Sequence, residues 1–511
     1  MLDYLKRLLR TGAAYQAAEL VAKGIAVITL PLYTRHVSPS GYGAYQALFT
    51  AVILSSIFLR AGVGEAFIRF YFEDHDEERR ARIARTATAA VAWTTTAATA
   101  LVVIFAAPIS ELLLGAHPAD PALIDCAAIG LWSFTNLEMA YAQLRVDERA
   151  RAYLIASGAN VAMTVVFTIA LVVFAEQGAR GLLLGNFGAS GVVVLGLWWV
   201  LRRRFSLRVR VSDLAAMLRF GVPTVPADAS VYALQVADRF YLYRDYSPAA
   251  AGEYSIALQL ATAVLVFVRG FQYAWPPLAY SVEEDREASR LYSLVTTYFV
   301  LAMGVVVVVV TLFATWIVRL LAAPAYFGAH TALPWLGLAW ALYGLYQIMI
   351  VITGRARATG RNVPPALAGL AVNIALLLWL VPHSGAGLGI AGAGVALCGA
   401  YVVMLAIMLV LTRNVFAVPF EWGRLTLLAV TLAAVAVSGE LLLPASGIGG
   451  FVLRVLWLAL IPAALLLTRF FSPAERAQTR VLVRDAQRRV TAFRAAGGDV
   501  EAFAEDPLRD I

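Results

Sequence analysis

Between residues 291 and 316 the chain reads LYSLVTTYFVLAMGVVVVVVTLFATW, without one charged side chain. A helix needs about 20 mainly apolar residues to cross the ~30 Å hydrocarbon core of a bilayer, and this stretch exceeds that. Comparable segments lie near 12–34, 45–67, 86–107, 123–144, 154–175 and 182–201 on its N-terminal side. Others lie near 220–243, 253–275, 331–353, 365–382, 388–411, 425–443 and 450–468. The expected fold is therefore an all-α polytopic membrane protein with about fourteen transmembrane helices. Composition agrees: 61% of the residues are hydrophobic and 14% charged, with a mean hydropathy of +0.74. A soluble chain carries roughly a quarter charged residues, so most of this surface must face lipid. Turn signals separate the segments, such as SGAGLG at 384–389 and PASGIGG at 444–450. The N-terminus begins MLDYLKRLLR, basic and then apolar, but the apolar stretch contains Glu19 and Lys23 and runs beyond a signal core. It is expected to be a retained first span.

Basic residues test this map. With both termini cytoplasmic, about 32 of the 41 Lys and Arg fall in inside loops or the C-terminal tail. Only Arg35, Arg180, Arg244 and Arg319 fall outside, and five lie within or at the edge of spans. This is the positive-inside pattern. It accounts for the net charge of +8 without a nucleic-acid partner. Cys126 and Cys398 form no CxxC and the five histidines are scattered over loops, so neither a metal site nor a cofactor is expected. The tail from about Arg469 has a helix start at Ser472-Pro473 and a stop at Gly497-Gly498. It reads either as a cationic helix at the inner leaflet or as a solvated helix.

An internal repeat organises the spans. An offset of 209 places Arg10 on Arg219, Gly12 on Gly221, Arg35 on Arg244 and Phe58 on Phe267. The same offset places Ser38, Pro39, Gly43 and Tyr45 on Ser247, Pro248, Gly252 and Tyr254, and Arg60 on Arg269. Further on, NVAMTVVF at Asn160 echoes NIALLLWL at Asn373. Six spans lie within the offset, so both copies share one orientation. Parallel repeats about an axis along the membrane normal are a transporter architecture, with the substrate site between the halves. The expected divisions are a six-helix lobe over 1–210, its repeat over 211–415, two additional spans over 416–468, and a basic cytoplasmic tail over 469–511.

Three stretches carry a family resemblance: LPLYTRHVSPSGYGAYQALF (30–49), LRVDERARAY (144–153) and NIALLLWLVPHSGAGLGIAGAGVA (373–396). Their order, spacing and duplication resemble the polysaccharide flippases, the O-antigen and exopolysaccharide exporters of the multidrug/oligosaccharidyl-lipid/polysaccharide superfamily. The likeness runs nearly to residue 468. It implies translocation of an undecaprenyl-diphosphate-linked oligosaccharide across the bacterial inner membrane by alternating access, for surface polysaccharide biosynthesis. The implied partners are that substrate, membrane lipids and other polysaccharide assembly proteins.

A charge at bilayer depth costs about 2.5–3.5 kcal/mol on insertion scales, so each intramembrane charge needs a reason. Arg60 and Arg269, related by the repeat, suit a diphosphate because guanidinium offers forked donors. The bland alternative is snorkelling to the interface. Lys23 and Arg239 are further substrate-binding candidates. Glu19 pairs with Lys23 at i,i+4 or serves the cavity, and Asp228 is its repeat equivalent. Asp228, Asp238 and Glu138 are candidate ion-coupling or cavity acids, while Glu138, Asn136 and Gln143 read equally as glue between helices. Pro223 and Pro226 predict a kink in the seventh span, either a hinge or a static bend. Trp335, Trp340, Tyr343 and Tyr346 read as sugar-stacking residues or as packing. The chain has no GxxxxGK[ST] phosphate loop, so a transporter would draw on an ion gradient, the membrane potential or substrate flow. A cation-coupled drug antiporter of the same superfamily is the alternative. A membrane-embedded glycan polymerase or ligase ranks lower, because the outer loops are short, and an enzyme is not expected.

Overall fold

The computed structural model describes residues 24–73, 76–115, 120–147, 149–202, 208–356, 358–468 and 470–471. Among them all regular structure is helical. Eleven helices among the described residues are long and apolar enough to cross a membrane. The difference from about fourteen lies in three segments. Residues 12–23 of the first span are outside the described residues, and the rest of it is helical over 24–36, here α1. The fourth span is one helix, Pro121–Val146, but it carries Asp125, Asn136, Glu138 and Gln143. The seventh is broken into pieces.

The chain packs as two compact units, Met1–Phe420 and Glu421–Ile511. The first contains α1, α2 (Pro39–Arg60), α3 (Val63–Glu73), α4 (Glu77–Ile104), α5 (Ala106–Leu114), α6 (Pro121–Val146), α7 (Ala150–Ile169) and α8 (Gly178–Val200). It continues with α9 (Val211–Gly221), α10 (Val225–Leu234), α11 (Ala237–Tyr241), α12 (Pro248–Ser281), α13 (Asp285–Leu321), α14 (Leu333–Arg355), α15 (Val363–Leu380) and α16 (Gly389–Arg413). The expected boundary near residue 210 falls inside this unit.

Repeat-related residues build repeat-related structure. Ser38 caps α2 by accepting from the Gly41 amide, and Ser247 caps α12 by accepting from the Ala250 amide. A proline follows each cap, where its missing N–H costs no helical bond. Gly43 and Gly252 then meet one another: a Cβ on Gly43 would strike the Pro248 carbonyl, and one on Gly252 the Pro39 carbonyl. Lipid supplies little hydrophobic drive between helices, so close backbone approach through small residues is what holds such a crossing. At the other end of α2 the chain reverses through Ala61 (φ 47°) and Gly62 (φ 70°), where the Gly62 backbone abuts Gly221. Only glycine suits position 62, because both the left-handed φ and the approach exclude a side chain.

α9 is amphipathic. It lays Met217, Leu214 and Leu218 on Phe67, Phe70 and Tyr71 of α3 and on Ile83 of α4. Arg82 pairs with Asp213 at 3.3 Å, and Arg69 lies over the Phe220 ring. The second unit holds α17 (Trp422–Leu442), α18 (Gly447–Trp457) and α19 (Leu460–Leu467). Across its turn the buried Arg454 reaches Glu440 and the carbonyls of Leu443 and Pro444.

Candidate functional site

α2 and α12 are the two central repeat equivalents, and both start on the face that is poor in arginine. Arg60 and Arg269 each follow the paired glycines by 17 residues, about 26 Å of helix at 1.5 Å per residue. They therefore lie at matching depth on two packed helices. Exposure rises along both toward the arginines: Phe58 is 55% exposed and its equivalent Phe267 58%. The Arg60 Nε donates to the Ser56 carbonyl of its own helix at 3.4 Å. Arg269 donates through Nη1 to Gln272 Oε1 at 3.1 Å, and Gln272 in turn donates to Gln347 of α14 at 3.1 Å. The Arg269 Nε is buried without a hydrogen-bond partner among the described residues. No hydrogen bond joins Arg60 to Arg269 directly.

The seventh span is discontinuous, and more so than its prolines imply. Pro223 sits in a short 3-10 turn, Val222–Thr224, and Pro226 in the first turn of α10. A second break falls at Gln235-Val236, between α10 and α11, where no proline stands. It sets Asp238 and Arg239 at the start of α11. Asp238 is fully buried; its carboxylate accepts from the Arg239 amide and from the Tyr254 hydroxyl. Arg239 crosses to the other repeat and donates to Thr50 Oγ1 of α2 at 3.0 Å. Gln259 does the reciprocal work on α12: it accepts from the Tyr42 hydroxyl of α2 at 2.8 Å and donates to the Ala26 carbonyl of α1 at 2.9 Å. Thr50 and Gln259 occupy the same position of the repeat. Each central helix thus holds the first span of the opposite repeat.

Further contacts between the repeats lie on the arginine-poor face. The Tyr326 hydroxyl donates to the Val37 carbonyl at 2.8 Å, the Ala323 amide to Thr34 Oγ1 at 3.1 Å, and Arg244 to the Leu112 carbonyl at 2.9 Å. Burial pushes the Tyr326 phenol well above its ordinary range, so it stays a donor.

The other sequence candidates divide. Glu19 and Lys23 lie outside the described residues, as does the basic tail, and Asp228 falls on α10 with its side chain also outside them. On α6, Asn136 donates to Thr95 at 2.9 Å and Gln143 to Thr88, both on α4, which is interhelical bonding. Glu138, half-buried, is not part of those bonds. Trp340, Tyr343 and Tyr401 pack ring to ring, and Tyr346 reaches the Asn362 carbonyl. Sequence reasoning passed over Thr50, Gln259, Gln272, Gln347 and Tyr254. The first two were detectable as polar residues that coincide under the 209-residue offset.

Comparison with known proteins gives both a fold and a family. The chain is similar to the structure of "Lipid II flippase MurJ, inward closed conformation", with a TM-score of 0.67 and 13% identity, covering 90% of this chain and 98% of that one. It is similar to an inward-facing multidrug resistance MATE family transporter of the MOP superfamily, with a TM-score of 0.60 and 16% identity over 81% and 96% of the two chains. An outward-facing MATE structure aligns with a TM-score of 0.55 and 14% identity over 82% and 96%. At such identities the likeness establishes the fold. In sequence, the chain is 23% identical over 295 residues to "Lsg locus putative protein 1" of Haemophilus influenzae (strain ATCC 51907 / DSM 11121 / KW20 / Rd), covering 55% of this chain and 68% of that protein. A family model described as "Polysaccharide biosynthesis protein" matches residues 8–282, more than half of the chain, and this multi-pass membrane protein belongs to that family.

Proposed function

We propose that this chain moves an undecaprenyl-diphosphate-linked oligosaccharide from the cytoplasmic to the outer leaflet of the bacterial inner membrane by alternating access, as a step in surface polysaccharide biosynthesis. In this reading the arginine-rich face and both termini are cytoplasmic, and the lobes 1–210 and 211–415 rock about a cavity between α2 and α12. The observation that carries it is the repeat-related pair Arg60 and Arg269, matched in depth on helices whose exposure increases toward the arginine-rich end. Two guanidinium groups on opposite walls suit the two phosphates of one headgroup. The prenyl tail stays in lipid while the headgroup crosses.

Closure of the arginine-poor face by Arg239–Thr50, Gln259–Tyr42 and Tyr326–Val37 supports a state in which substrate loads from the cytoplasm. The discontinuous seventh span, with Pro223 in one break, Pro226 just after it and buried Asp238 after the other break, supports a moving element coupled to an ion. In that role Asp238 exchanges its Tyr254 hydrogen bond for a cation or proton during the cycle.

The test is accumulation of lipid-linked oligosaccharide in cells carrying Arg60→Ala with Arg269→Ala, at protein levels verified by blot. The expected result is an intermediate trapped on the cytoplasmic leaflet and loss of surface glycan. Unchanged surface glycan in the stably expressed double variant sinks the cavity assignment. An unchanged lipid-linked pool in a deletion strain sinks the substrate class.

A further inference from the structure

On the arginine-poor face a cleft of about 660 Å³ opens between the loop leading into α12, the 3-10 segment Pro324–Thr331 and the turn before α16. Small-molecule sites span roughly 300–1,000 Å³. We infer that this cleft is a saccharide subsite, which accepts sugar hydroxyls on Glu253 and a sugar ring face on Tyr246 as glycan leaves the transporter. The inference rests on the transport reading above.

The chemistry of the walls selects the ligand class. Among the described residues neither arginine nor lysine lines the cleft. The two arginines of the neighbouring loops are turned to other partners, Arg244 to the Leu112 carbonyl and Arg319 to the face of Phe327. A phosphate therefore finds no guanidinium here, unlike in the space between Arg60 and Arg269. What the cleft offers is a half-buried carboxylate, Glu253, that receives no hydrogen bond from the described residues. Hydroxyl groups donate to such a carboxylate without neutralising it, and the neighbouring His330 favours its charged form while burial opposes it. Tyr246 and His383 stand beside it with ring centroids 6.0 Å apart and planes inclined by 42°. The two rings are tilted against one another and are not coplanar, so a pyranose would lay its apolar face on one of them, here Tyr246.

Two glycines keep these groups accessible. A Cβ on Gly328 would collide with the Glu253 carboxylate, and one on Gly389, whose φ is +53°, would lie 3.0 Å from the Tyr246 hydroxyl oxygen. The scaffold does not need the polar groups. At the equivalent positions of the first repeat, Glu253 is replaced by Ala44 and Tyr246 by Val37, both buried. The cleft is thus an addition to one repeat, placed on the face opposite the arginine-rich loops.

The test is saturation-transfer NMR on the full chain in nanodiscs, with the oligosaccharide released by mild acid from the host's own lipid-linked pool as probe. We expect transfer to sugar ring protons. Tyr246→Ala and Glu253→Ala should each weaken binding about ten-fold, as for a lost hydrogen bond to a charged group or a lost stacking face. Thr331→Trp, which fills the cleft from an exposed position, should abolish transfer, while Arg60→Ala with Arg269→Ala should leave it intact. Absence of transfer to the wild-type chain overturns the inference. So does transfer that survives all three cleft variants, or that is lost only with the two arginines. The deletion strain decides the transport reading separately, since its lipid-linked pool does not depend on the cleft.

Discussion

Thr50→Val removes one oxygen from the interface between the repeats and keeps the side-chain volume. Its hydroxyl lies on the buried face of α2 and accepts from Arg239 Nη1 at 3.0 Å. The Arg239 Nε already lacks a partner, so the variant leaves a guanidinium with still less compensation. A hydrogen bond to a charged group contributes about 1.5–3 kcal/mol in soluble proteins, whereas bonds between transmembrane helices average about 0.6 with a maximum near 1.7. A loss of about 1–2 kcal/mol is therefore expected, which changes a two-state ratio by about 5–30-fold. If the proposed rocking separates α2 from the seventh span, the contact is made only while the arginine-poor face is shut and its loss favours opening.

The readout is modification of Ala47→Cys by a membrane-impermeant maleimide applied to the arginine-poor face, with Cys126 and Cys398 replaced by alanine. Ala47 is 1% exposed on α2 and reacts through openings. Thr50→Val should accelerate labelling by the same factor of about 5–30, and so should Arg239→Gln. The double variant should label no faster than either single one, because both remove one contact. An unchanged rate in Thr50→Val, or a double variant that equals the product of the singles, refutes the idea that this bond holds the face shut.

Gly252→Val places a branched side chain against the Pro39 carbonyl; it should abolish surface glycan while the chain still inserts, and wild-type glycan levels would contradict the crossing. Asn136→Leu removes the bond to Thr95 and should lower stability in detergent by about 0.6–1.7 kcal/mol with transport preserved, so loss of transport at normal stability would give Asn136 a role in the cavity. Glu440→Gln removes the charge facing the buried Arg454 and should destabilise the second unit by about 1.5–3 kcal/mol, read as faster proteolysis between α17 and α18. Wild-type resistance would mean the carbonyls of Leu443 and Pro444 suffice.

Spans and repeat were legible because their signals are local: an uninterrupted apolar run, a serine-proline cap, a glycine recurring after 209 residues. The break at Gln235-Val236 was not, since neither proline nor glycine marks it and the residues that stabilise it come from α2 and α12. Formal charge drew attention to Asp238 and Arg239, but not to Tyr254 or Thr50, which decide what those charges do. Thr50 is 189 residues from Arg239 and Gln259 is 233 from Ala26; no window along the chain relates them. The offset does, and a polar residue recurring at the same depth of two apolar helices was a usable sign. Among the aromatic residues of α14, Trp340 and Tyr343 take the packing alternative of their reading, while Trp335 stays 40% exposed.

The repeats are not identical, although a twofold axis along the membrane normal maps each side of the membrane onto itself and so would allow them to be. Several differences at repeat-equivalent positions put a polar group in the second repeat. In the first, Asn160 accepts from Ser190 at 3.2 Å; in the second, the equivalent Asn373 is buried with neither amide atom partnered. Glu253 replaces an alanine, and Asp238 and Arg239 sit at a helix break. Unpaired polar groups at this depth are costly to keep, and the second repeat keeps several near its broken seventh span. What is common to both repeats is the crossing at the paired glycines and the paired arginines, to which the proposed function gives the headgroup charge. What is peculiar to the second repeat lies beside the broken seventh span, which is where the proposed function needs a coupled group, since rocking alone supplies a path but no preference for one direction.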